Sequence, residues 1–267
     1  MEQQLRTRLV GLTIALLVLA VAWSVVTRDR PARTRRAPPP AAAASAPAQP
    51  PATTRSQAGT RVAVTESIGP APGYFDLLAR AEIRRRIRAS FPYTYLSPIV
   101  AASSDSMLHR WDDRVGRPVR VLLTTDTVSG FQPVFLDAVR RAFLRWEQAG
   151  IPVRFDVHAD SAEAEVRVVW RGQFDIDRTG QTDLEWDRQG HLRSGMITIA
   201  THDPAGHPLG PDDVRVVALH EIGHLIGLDH SPDSTDVMFA KTVMRDLSDR
   251  DVRTALLLYA LAPGSLR

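Results

Sequence analysis

The sequence predicts an α+β domain that begins near residue 61 and runs to the C-terminus. Three observations lead there. Residues 133–150 place Val134, Ala138, Ala142 or Phe143, and Trp146 on one side of a helix. The runs Val119–Leu123, Ala164–Trp170 and Ser194–Ala200 are short, apolar and β-branched, as strands are. A segment opening at Gly210-Pro211-Asp212-Asp213 carries the start signals of another helix, with proline tolerated in the first turn and carboxylates facing the positive end of the dipole.

The elements follow in order. Residues 1–8 form a short N-terminus containing Arg6 and Arg8, expected to be cytoplasmic. Residues 9–26 are an uncharged stretch of 18, long enough for a membrane span or for the hydrophobic region of a signal peptide. Ala20-Val21-Ala22 suits cleavage, while Arg28, Arg30, Arg33, Arg35 and Arg36 outnumber the basic residues before the span, which by the charge rule favours the reverse orientation. The expectation is a single-pass protein of the cell membrane with its folded domain exported, the alternative being secretion after cleavage. Residues 27–60 are rich in Ala, Pro and Arg, cannot build a core, and read as a disordered linker.

Residues 61–115 precede the recognisable core and read as a removable propeptide, a packed N-terminal extension or a small accessory element. They include a helix over about 73–89 whose Arg84, Arg85, Arg86 and Arg88 form either a solvated face or a binding surface. The main domain is placed at 116–267. Between 172 and 210 lies a polar insert in which Asp183, Glu185 and Asp187 alternate, as in a solvated loop, and which also holds His191, His202, Asp203 and His207. A helix over about 212–226 would bury Val216, Val217 and Leu219. Ser248 reads as an N-cap before a closing amphipathic run.

Charge excludes one class of partner. The pI near 9.8 suggests nucleic acid, yet residues 1–60 carry eight Arg and two acids, whereas the rest has 25 basic against 28 acidic residues. The basic excess lies in the arm beside the apolar stretch, where anionic lipid is the better match, and nucleic acid is not expected. The chain has no cysteine, hence neither disulfides nor thiolate ligands.

The densest chemistry is His220-Glu221-Ile222-Gly223-His224-Leu225-Ile226-Gly227-Leu228-Asp229-His230. Ligands four apart stand on one helix face, so His220 and His224 can share an ion. Gly227 lets the chain turn sharply out of the helix and return His230 as a third imidazole, leaving a fourth position open. Glu221 can polarise a water there. Chance produces these five residues at these offsets roughly once in ten million starting positions. Single histidines such as His109 and His158 read as ordinary core or surface groups.

With this motif the chain resembles a metzincin, and within that clan the matrixin family of zinc metalloproteases, as a bacterial-type member that is membrane-anchored or secreted. Ser231 follows His230 as in matrixins, and Met238 falls where the family places a methionine-bearing turn beneath the metal. Ala240 stands where the family has proline, Arg250 replaces one of a pair of acids whose other member is Asp251, and Ala260 replaces a glycine.

The resemblance implies a zincin-type domain with a twisted mixed sheet, a long helix in the N-terminal subdomain, the zinc-binding helix and a C-terminal helix. It implies catalytic Zn2+ on His220, His224 and His230, with Glu221 as general base and Gly227 and Met238 as structural support. It further implies a monomeric domain, strand 194–200 as the upper edge of the cleft, and a polypeptide substrate laid against it as an extended strand. Matrixins also carry structural Zn2+ or Ca2+ near the polar insert, and a propeptide cysteine for latency, which this chain lacks. The activity so implied is zinc-dependent endoproteolysis. Its alternatives are a metal hydrolase limited to cell-wall peptides or self-processing, and an inactive membrane-tethered zinc-binding module.

Overall fold

The structure, a computed structural model, describes residues 72–102, 106–125 and 128–267. The stretch 9–26, the linker 27–60 and the first part of the 61–115 extension lie outside the described residues. Among the described residues no helix is long and apolar enough to cross a membrane. The expected membrane-anchored location, with a bilayer as partner through residues 9–26, is corrected on that finding and is not retained.

Two helices come first, α1 (Tyr74–Ala89) and α2 (Leu96–Ala102), followed by the short strand β1 (Met107–Leu108) and by β2 (Arg114–Leu123). Helix α3 (Val134–Gln148) leads to β3 (Val153–Asp156), β4 (Val166–Arg171), β5 (Gly180–Trp186) and β6 (Leu192–Ala200). The last elements are α4 (Pro211–Leu225), α5 (Asp249–Tyr259) and β7 (Gly264–Ser265). The result is the expected α+β fold with a mixed sheet.

Five strands pair in the order β3-β2-β4-β6-β5, with only β5 antiparallel to its neighbour. Parallel neighbours need a crossover, and α3 supplies the one between β2 and β3. It packs through Phe135, Ala138, Val139, Ala142, Phe143 and Trp146, all buried. Val134, expected on this face, is exposed instead, and Phe135 takes its place. Helix α4 packs against α3 and buries Val216, Leu219, Ile222 and Leu225, while Val217 is half-buried at the wall of a cavity.

The sheet edge also differs from expectation. Strand β6 pairs with β4 on one side, from Val166↔Gly195 to Arg171↔Ala200, and with β5 on the other. Both its hydrogen-bonding edges are taken, so no peptide can add along residues 194–200. The edge of the sheet on this side is β5, formed by the polar insert whose alternation also suits a solvated loop. Its Asp183 and Glu185 are half-buried and exposed, while Thr182 and Leu184 turn toward the cavity.

The C-terminal part closes onto the N-terminal helices. Ser248 caps α5 as its sequence indicates: its Oγ accepts the Asp251 amide at 3.0 Å while Asp251 Oδ2 accepts the Ser248 amide at 2.8 Å. At the other end Ala260 has φ −83°, ordinary right-handed geometry, so the replaced glycine is not required. Strand β1 pairs antiparallel with β7, and Tyr95, Leu96 and Ile87 from the first two helices and their link are buried in the main core.

Candidate metal centre

The two ends of the histidine motif are placed by different means. His220 and His224 lie on α4, which two indoles grip from outside: Trp146 Nε1 donates to Leu219 O and Trp111 Nε1 to Leu225 O, each at 2.9 Å. The helix stops at Leu225. Gly227 then adopts φ +102°, and a Cβ there would stand 2.0 Å from the His109 carbonyl oxygen. Only glycine satisfies both the left-handed dihedral and that close approach. The turn returns the chain so that His230 faces the helix.

The three rings form a nearly equilateral set, with centroids 4.9 Å apart for His220–His224, 5.2 Å for His220–His230 and 4.8 Å for His224–His230. One nitrogen from each lies within 4.8 Å of the others. The Nε2 atoms of His220 and His224 approach to 3.2 Å, close to the spacing of two ligands around a tetrahedral zinc with bonds of about 2.0–2.1 Å. The other nitrogens are occupied: His220 Nδ1 lies 2.8 Å from Val237 O, and His224 Nδ1 lies 2.9 Å from Leu228 O. Those carbonyls accept Nδ1–H and leave the Nε2 lone pairs for an ion. Burial holds the His220 imidazole below its usual pKa, which favours the neutral form that ligates. The donor set therefore fits zinc.

Met238 lies fully buried beneath the site in a turn closed by the Ser231 amide donating to Met238 O at 2.8 Å. Gly223 makes room for it, since a Cβ on Gly223 would meet Met238 Sδ at 2.2 Å. Ala240, in place of the family's proline, lines the cavity.

Glu221, adjacent to the first ligand, faces the same cavity, which measures about 630 Å³ and includes all three histidines in its lining. Two residues that the sequence reading did not single out shape its environment. Thr182 Oγ1, on β5, donates to Glu221 Oε2 at 2.6 Å. Gly180, at the start of that strand, leaves space for the carboxylate: a Cβ there would be 2.3 Å from Oε1. Burial pushes the Glu221 carboxyl up to about 7, against the opposing pull of the Thr182 hydroxyl and the Arg178 guanidinium. A dication on the adjacent imidazoles acts in the same sense as Arg178. No local signal marks Gly180 or Thr182, because they meet Glu221 only when β5 docks over α4.

The other polar candidates do not assemble into a second centre. His191 sits between Asp112 (3.1 Å) and Asp187 (3.3 Å), and Arg193 also bonds Asp187. His207 pairs with Asp203 at 3.0 Å on an exposed loop, while His202 Nδ1 lies 3.2 Å from Gly172 O. Among the described residues the His220–His224–His230 group is the one cluster of three or more potential ligands. The expected additional structural Zn2+ or Ca2+ finds no ligand set there. His109 is buried against Trp186, and His158 is exposed.

Comparison with known proteins agrees with this geometry. A metalloendoproteinase of Arabidopsis thaliana, 1-MMP, is 31% identical over 137 residues, covering 46% of this chain and 37% of that protein. Metalloendoproteinase 1 of Glycine max is 25% identical over 160 residues, 52% of each chain. A probable matrix metalloproteinase, 095L, of Invertebrate iridescent virus 3 is 45% identical over 144 residues, covering 48% of this chain and 38% of that one. The chain thus spans about half or less of the length of these curated relatives, which come from plants and a virus and lend nothing to the expected bacterial type. The profile of the matrixin family matches residues 124–260, just over half of the chain. With three imidazoles converging on one point above a buried methionine, this chain belongs to the matrixin family of metzincin-like zinc proteases.

Proposed function

We propose that the chain is a zinc-dependent endopeptidase with His220, His224 and His230 as metal ligands and Glu221 as the general base. The observation that carries this reading is the placing of Glu221 beside a ready ligand triad, in the same cavity. A purely structural zinc site has no need of a buried carboxylate, so this arrangement also argues against an inactive binding module.

His220, His224 and His230 would hold the zinc ion, which would supply an acidified water and Lewis-acid polarisation of a carbonyl. The chain's own residues do the rest. The Glu221 carboxylate accepts the proton of the attacking water and delivers it to the departing amide nitrogen. Thr182 engages Oε2, so the proton is handled at Oε1, the oxygen that Gly180 leaves room for. The carbonyls of Val237 and Leu228 keep two rings in the tautomer that ligates.

The test incubates the full chain with a denatured protein, with and without a chelator, alongside Glu221→Gln. Cleavage by the wild type should stop with chelation and return with zinc. Glu221→Gln should bind zinc stoichiometrically yet cleave ~10²-fold more slowly or worse. A fully active Glu221→Gln protein would remove the base from this mechanism.

A further inference from the structure

A continuous line of hydrogen bonds joins the first metal ligand to the link between the first two helices. His220 Nδ1 donates to Val237 O at 2.8 Å. The amide of that same peptide, Met238 N, faces Asp251 Oδ1 at 3.4 Å, and the Val237 amide donates to Asp251 Oδ2 at 2.9 Å. Asp251 has no solvent exposure, and its Oδ1 accepts the Tyr95 hydroxyl at 2.8 Å. Tyr95 is itself fully buried; its amide donates to Thr254 Oγ1 at 3.1 Å, and the Arg250 guanidinium lies over its ring at 5.8 Å.

We propose that Tyr95 is a positioning residue for His220, and that residues 74–102, which deliver it, are a permanent part of the domain and not a removable propeptide. The proposal rests on the zinc-site reading above. A buried carboxylate must have its lone pairs engaged, and three backbone amides engage Asp251 from the methionine turn and the start of α5. Tyr95 brings the additional donor, from outside both elements. Negative charge held at the N–H end of the 237–238 peptide raises electron density on its carbonyl, the acceptor that orients His220. Without the hydroxyl, Oδ1 is free to turn away from Met238 and that support weakens.

Two further observations separate this segment from a latency device. None of residues 72–102 lines the cleft, so these residues do not themselves occupy it. They also clamp the end of the chain: Arg80, Arg84 and Arg86 donate to the carbonyls of Arg267, Leu266 and Ala260.

The test measures the zinc dissociation constant of the full chain by competition with a chromophoric chelator, together with the thermal stability of the metal-free protein. Tyr95→Phe should bind zinc several-fold more weakly, roughly 3- to 10-fold, less than the loss typical for a direct partner of a ligand. Leu96→Ala, which empties a buried position in the same segment, should lower stability and leave zinc affinity within about twofold of wild type. Tyr95→Phe with wild-type affinity overturns the proposal; a wild type that takes up no zinc instead overturns the site reading beneath it. Should Tyr95→Phe not fold, hydrogen exchange in the unaltered chain decides. Coupling is reciprocal, so zinc should slow exchange at the Tyr95 and Val237 amides more than in β3. Equal slowing at all three places refutes the link.

Discussion

At Gly180 a single methyl group would stand 2.3 Å from Glu221 Oε1 and force the carboxylate aside. Gly180→Ala should therefore retain zinc and lose turnover, by roughly 10²-fold, since displacements of about 1 Å have such effects; peptide cleavage measured beside metal content checks this. Thr182→Val removes a hydroxyl from a charged acceptor, worth about 1.5–3 kcal/mol, so kcat should fall about tenfold or more with zinc affinity unchanged. Gly227→Ala acts on the ligands. Its left-handed dihedral alone carries about 1–3 kcal/mol of strain for a non-glycine residue, and the His109 carbonyl blocks the new Cβ. Both stability and zinc content should drop, as thermal melts with and without added metal would record.

Among elements, the contact between α3 and α4 decides whether the ligands are held at all. Trp146 is fully buried, bonds the Leu219 carbonyl one residue before His220, and touches the space left by Gly223 under Met238. Trp146→Ala should cost about 3–5 kcal/mol, read from urea unfolding. The β5–β6 hairpin gives a pH dependence. Partial burial pushes the Asp187 carboxyl up, but the His191 amide, the Arg193 guanidinium and the Gln189 amide outweigh it and hold it below the usual carboxylate range. A depressed folded-state pKa means that the stabilisation is present above about 3.9, the unfolded value, and is lost as pH falls through the lower folded one. Asp187→Asn should lower stability near pH 7 and flatten that part of the acid-unfolding profile.

For the molecule as a whole, the ligands come from one helix and the turn after it, and residues from β5 and the turn below meet them. An ion that binds only this folded arrangement stabilises all of it. At a free zinc concentration of about 100 times the dissociation constant the gain is about 2.7 kcal/mol, or about 5–10 °C in Tm for a domain of this size. Chelation should lower Tm by that amount, and restoring zinc should recover it. A melt indifferent to chelator would contradict the site. The N-terminal helices share in this unit through Tyr95 and the clamped chain end, so zinc and the 74–102 segment should stabilise one another.

The sequence by itself determined the helix that carries His220 and His224, the need for glycine at 227, the return of His230 and the cap at Ser248. Each depends on residues within a few turns of one another, where helical period, dihedral preference and capping act without help from the rest of the chain. Tertiary structure alone decided that β6 is an interior strand, that the polar stretch 180–186 is the sheet edge, and that Gly180 and Thr182 shape the surroundings of Glu221. It also decided that Tyr95 reaches Asp251. The hydrogen bonds of Thr182 to Glu221 and of Tyr95 to Asp251 cross 39 and 156 residues of chain, and all these placements follow from strand order and helix docking; no local period or propensity encodes which distant hydroxyl will meet a buried carboxylate.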